Sequence, residues 1–207
     1  MKNVSLLSLY FLFISFQANS QERKFSVGVV GSANYYNYKF KRPQEPVYSI
    51  STPINYGIGL RFQYAVTERL SIKTGIMYAG KGYEVKYSGQ PDFPVYPFMG
   101  AESAVKVNYF DIPFKVSYRF ATRNKFSLYA SAGAIAGFWA DDETKSSYFK
   151  STLFSIGLDS GVRYDVSKFL FLTLEPDFRI ALSRFDAYLK TAPTSAGIAF
   201  GANFLVD

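Results

Sequence analysis

The most regular hydropathy pattern in the chain lies between Val107 and Phe120. Phe110, Ile112, Phe114, Val116, Tyr118 and Phe120 alternate with Asp111, Pro113, Lys115, Ser117 and Arg119. A period of two places successive side chains on opposite faces of a strand, so this stretch predicts a strand with one oily and one charged face. Seven further segments repeat the pattern: Lys24–Tyr36, Tyr56–Tyr64, Leu70 to about Tyr83, Phe126–Trp139, Leu153–Tyr164, Phe169–Ile180 and Ala196–Leu205. Tyr56, Ile58, Leu60, Phe62 and Tyr64 oppose Gly57, Gly59, Arg61 and Gln63. Leu170, Leu172, Leu174 and Phe178 oppose Thr173, Glu175, Asp177 and Arg179. Only in Phe126–Trp139, where Ala and Gly dominate, does the pattern leave the facing undecided.

The connections alternate in length. Asn37–Asn55, Glu84–Ser103, Ala140–Lys150 and Ala181–Ser195 are long; Val66–Arg69, Ala121–Lys125 and Asp165–Lys168 are short. Long and short connections therefore leave opposite ends of one sheet. No helical period lies between the strands, so neighbours pair antiparallel as a meander. The expected fold is all-β, an antiparallel up-and-down barrel of about eight strands. Pro113 and Pro176 fall inside strands, where each removes a ladder donor, so bulges or locally broken pairing are expected there.

Alternation fits two barrels. A soluble lipocalin-like carrier turns its oily face inward around a ligand; a transmembrane barrel turns it outward to lipid. Aromatics favour the second. Phe62, Tyr64, Tyr118, Phe120, Phe126, Tyr164, Phe169 and Phe204 cluster near the short turns, and Tyr35, Tyr78, Phe110, Phe138 and Trp139 near the long loops. Two such girdles mark two membrane interfaces. The polar face mixes long charges with glycines, a combination that fills the narrow interior of an eight-stranded barrel.

The chain opens with Met1-Lys2-Asn3, an apolar run over Val4–Phe16, and Gln17-Ala18-Asn19-Ser20. This reads as a secretory signal peptide over residues 1–20, with the barrel domain over 21–207. Its loss removes Lys2 and lowers the formal charge from +7 to +6. The excess favours anionic headgroups or lipopolysaccharide phosphates, though an ordinary solvated surface explains it equally. Long external loops and short periplasmic turns, with an even strand number, place both termini in the periplasm of a Gram-negative-type outer membrane.

The candidate chemistry is sparse. Without His or Cys the chain lacks the usual catalytic sets, so it reads as a non-enzyme with no cofactor. Asp141-Asp142-Glu143 reads as a solvated acidic loop before a cation site. The notable constellation is inward: Arg61, Lys73, Lys115, Arg119, Arg163 and Arg179 against Asp111, Asp159, Glu175 and Asp177. Buried charges need partners, so these are expected to pair across the lumen as a salt-bridged plug, with a narrow transport or ligand-binding barrel as the alternative.

Tyr109-Phe110-Asp111-Ile112-Pro113-Phe114-Lys115-Val116-Ser117-Tyr118-Arg119-Phe120, with Leu174-Glu175-Pro176, resembles a strand of the PorT-like outer membrane β-barrel family, among small barrels of the OmpA/OmpX type. The likeness implies a small outer-membrane barrel over essentially the whole mature chain. Its founding member is associated with protein secretion and gliding, so an accessory role in secretion is a further alternative.

With the lumen filled, the ends are left for partners. Glu84–Ser103 interleaves Pro91, Pro94 and Pro97 with Tyr87, Phe93, Tyr96 and Phe98. Rigid backbone and exposed aromatics suit a contact surface for another envelope protein or a surface glycan; capping of the barrel mouth is the plainer reading. The expected partners are otherwise outer-membrane lipid and lipopolysaccharide, with no nucleic acid, around a monomeric barrel.

Overall fold

The computed structural model describes residues 25–38, 48–87, 102–140, 151–183 and 192–206. They form eleven strands and no helix: β1 (Phe25–Asn37), β2 (Tyr48–Ser51), β3 (Asn55–Ala65), β4 (Leu70–Gly80), β5 (Tyr83–Tyr87), β6 (Glu102–Val105), β7 (Asn108–Arg123), β8 (Phe126–Trp139), β9 (Thr152–Asp165), β10 (Leu170–Ala181) and β11 (Thr194–Val206). Eight of them close an antiparallel barrel in the order β1-β11-β10-β9-β8-β7-β4-β3. The seam joins the two ends of the described chain, with Phe25 opposite both Val206 and Tyr64. A circuit begun at Phe25 passes Tyr64, Ile72, Val116, Ala132, Leu158, Phe178 and Ala196. It arrives back on β1 at Tyr35, a stagger of ten residues. Stagger and strand number together fix the tilt and leave an interior only wide enough for side chains.

The oily face points outward on every barrel strand. Ile58, Leu60, Phe114, Leu158, Leu174 and Phe200 are exposed to the surroundings, whereas Ser26, Lys73, Asp111, Asp159, Glu175 and Asn203 are buried inside. The soluble-carrier alternative required the reverse. Strand β8 follows the same rule: Leu128 points out and Tyr129 and Ile135 point in, with Ala130, Ala132 and Ala134 also outward. Aromatic pairs line both rims. Phe25 stacks on Phe62 and Phe126 on Tyr164 at the short-turn end, and Tyr78 meets Phe110 at the other.

The short turns repeat one chemistry. Thr67 Oγ1 accepts from the Leu70 amide at 2.9 Å, and Ser167 Oγ accepts from the Leu170 amide at 3.2 Å. Such hydroxyls stabilise tight turns by bonding nearby backbone. The third short turn relies on Asn124, at φ 54°, a left-handed conformation that Asn tolerates.

Three differences from the sequence reading stand out. First, the long connections are not wholly irregular. Tyr48–Ser51, Tyr83–Tyr87 and Glu102–Val105 form a separate three-stranded sheet in the order β2-β5-β6. Four- and five-residue alternations are too brief to stand out beside prolines. The segment expected to run from Leu70 to Tyr83 breaks at Lys81-Gly82, where Asn55 Nδ2 donates to the Gly82 carbonyl and Asn55 Oδ1 accepts from its amide. Second, the prolines interrupt pairing without a bulge. The β4–β7 ladder lapses between Thr74↔Phe114 and Met77↔Asp111 and resumes in the same register. The β9–β10 ladder lapses likewise beside Pro176. The opposite side of each proline stays paired, because a strand residue bonds to only one neighbour. Third, the one bulge of the described ladders is at Phe120, between Arg119 and Ala121.

A candidate functional site in the barrel lumen

Alternation sends every second residue of the eight strands into the lumen, where charge is layered. The outer layer is built from β7, β10 and the Lys81 turn. Lys81 Nζ donates to Asp111 Oδ1 at 2.6 Å and sits over the Tyr109 ring. Arg179 donates to Asp111 Oδ2 at 3.1 Å and to Asp177 Oδ2 at 2.7 Å. Val30, Met77 and Ala199 form an apolar layer beneath. The inner layer is larger. Arg61 grips Glu175 through two bonds of 2.7 and 2.6 Å and touches Thr173. Lys73 donates to the same Glu175 at 3.1 Å, lies 3.7 Å from Asp159 and packs over the Tyr129 ring. Lys115 donates to Asp159, and the Tyr129 hydroxyl to Glu175.

The ten charges expected to form one network therefore divide. Eight of them, Arg61, Lys73, Lys115, Asp159, Glu175, Asp111, Asp177 and Arg179, meet in these two layers. Arg163 does not join: it pairs with Asp165 at the short-turn rim and stacks on Phe171. Arg119 is half-buried just before the bulge. Lys81, Tyr129 and Thr173 complete the layers and were not singled out from sequence. Lys81 continues the inward parity of Lys73, Met77 and Ala79, a signal hidden by the strand break. Tyr129 lay in the segment whose facing the pattern did not decide. Of the proposed contact loop, Tyr87 ends β5, while Phe93, Tyr96 and Phe98 lie outside the described residues, as do Asp141, Asp142 and Glu143.

Between the layers lies a cavity of about 50 Å³, lined by Lys73, Lys115, Asp111, Asp177, Pro113 and Ile135 among others. That is room for a few waters or one small ion, far below the several hundred Å³ of an ordinary ligand pocket. Several glycines in the wall admit no side chain. A Cβ on Gly133 would stand 2.1 Å from the Phe114 carbonyl oxygen, and one on Gly59 2.2 Å from that of Ile76. Four buried polar atoms of the outer half, Asn34 Oδ1, Tyr36 OH, Asp177 Oδ1 and Ser195 Oγ, have no protein partner. Among the described residues no acidic, His or Cys cluster suits a metal ion.

Residues 17–205 match the family model of the outer membrane protein beta-barrel domain. The chain belongs to that family. This outer membrane barrel is also similar in fold to Neisserial surface protein A, at 14% identity and a TM-score of 0.59 over 88% of this chain and 97% of that one. A second likeness is to the outer membrane protein OprG of Pseudomonas aeruginosa, at 13% identity and a TM-score of 0.53 over 91% of this chain and 100% of that one. At such identity the likeness speaks for fold alone. No curated protein matches the barrel's sequence. The outward oily face and the family together place the barrel in the outer membrane.

Proposed function

We propose that this barrel is a closed, rigid support that presents its long connections to partners outside the cell. One observation carries the reading: ion pairs tie opposite parts of the wall together and leave a cavity of about 50 Å³, so only the ends are open to large partners. Binding residues tend to sit on loops held by such a scaffold. In this reading residues 1–20 are a signal peptide, 21–207 the mature barrel, and both termini face the periplasm. The side carrying the β2-β5-β6 sheet then faces outward, with Tyr87, Phe93, Tyr96 and Phe98 forming the contact surface for an envelope protein or a surface glycan. The Tyr109–Phe120 strand supports the finer PorT-like assignment, and with it an accessory role in secretion is the second reading.

The test replaces Phe93, Tyr96 and Phe98 with Ser together. Heat-modifiable gel mobility, which reports the folded barrel, should be unchanged, while co-purifying envelope partners are lost. Survival of the full partner set would mean that the loop only caps the mouth.

A further inference from the structure

The inner charge layer does not balance. Arg61, Lys73 and Lys115 supply three positive charges, and Asp159 and Glu175 supply two negative ones. Lys73 and Lys115 are also direct cross-strand partners on β4 and β7, both pointing inward. Like charges directly opposite one another repel. Only Asp159 separates them, giving Oδ1 to Lys115 and Oδ2 to Lys73, while the second carboxylate is already held by Arg61 and the Tyr129 hydroxyl. Both lysines are nine-tenths or more buried, so water screens the surplus poorly. The outer layer cannot absorb it, since Lys81 and Arg179 already match Asp111 and Asp177. The cavity sits where a counter-charge is needed, with Lys73, Lys115 and Arg61 in its lining.

We propose that the cavity is a binding site for one small monovalent anion of the halide class, held by Lys73 and Lys115. An ammonium offers three donors, and Lys115 spends one on Asp159, which leaves donors for a guest. The volume excludes sugars and nucleotides. Ile135 and Pro113 in the same wall favour a weakly hydrated ion over a strongly hydrated one. The inference stands apart from the loop-presentation role, since a support that binds no partner would hold the anion equally well.

Two measurements on the refolded full-length mature barrel test it. The first is a crystal soaked in bromide, in which an anomalous peak is expected in the cavity, within hydrogen-bonding reach of Lys73 Nζ and Lys115 Nζ. The second is the unfolding midpoint in chloride against gluconate at equal ionic strength, gluconate being too large for the cavity. The midpoint should rise and saturate with chloride, as ligand linkage requires. Lys115→Met, which balances the layer at two against two, should abolish that rise; Arg163→Met, at the rim, should keep it. The wild-type crystal decides the matter even if Lys115→Met fails to fold. Bromide absent from the cavity, with coincident midpoints in the two salts, would overturn the site and mean that one lysine is held neutral. Bromide bound only elsewhere overturns it as well.

Discussion

Arg61 on β3 and Glu175 on β10 meet across the seam of the barrel, joined by two hydrogen bonds of 2.7 and 2.6 Å. Removing one partner of a buried pair leaves the other charge stranded, at a cost of about 3–5 kcal/mol. Glu175→Gln strands both Arg61 and Lys73 and is expected to reach at least that range. The double variant Arg61→Met with Glu175→Gln should cost less than the two single changes added. Urea unfolding of the four proteins in lipid vesicles measures the coupling, and simple additivity would mean that the pair does not interact.

The outward face sets a second expectation. Leu174 is exposed and lies between Val162 and Phe200 in the outer wall. Leu174→Arg should lose about 2–4 kcal/mol if the residue lies near the bilayer midplane. Unchanged stability in bilayers would contradict the facing.

Two glycines separate rigid from yielding contacts. A Cβ on Gly133 meets the backbone of Phe114 and Lys115, whereas one on Gly157 meets the Ile135 methyl and the flexible end of Lys115. Gly133→Ala should therefore destabilise more than Gly157→Ala by about 1 kcal/mol or more, since backbone cannot step aside as a side chain does. The same unfolding assay ranks them, and equal losses would mean that the wall at Gly133 gives way.

A filled lumen should not conduct like a porin. Planar-bilayer recordings are expected to show no steady large conductance, because the layered ion pairs leave about 50 Å³ unfilled. A stable open channel of porin size would reject the plug.

Much of this was legible in the sequence. Phe110 to Phe120 announced a strand with two faces, and the lengths of the connections announced a meander. The facing of Ile58 or Asp159 then followed from parity alone. Partners were harder to foresee. Parity says that Arg61 and Glu175 point inward, but their meeting depends on the ten-residue stagger, which no single strand encodes. Arg163 has the same parity and still pairs locally with Asp165 at the rim. Lys81 was hidden by the break that Asn55 and Gly82 impose, and Tyr129 by alanines whose small side chains leave the facing unmarked.

The position of the seam carries a consequence for assembly. The β1–β11 ladder unites strands from the two ends of the described chain, and the Arg61–Glu175 contact spans 114 positions across it. Until that ladder forms, the two residues sit near opposite margins of a curled, open sheet, each still hydrated. Sealing the seam brings them together and expels their water in the same event. The contact thus acts as a clasp that fastens last: a barrel halted before sealing keeps a wet concave face, and one that has sealed must strip and strand two charges to reopen.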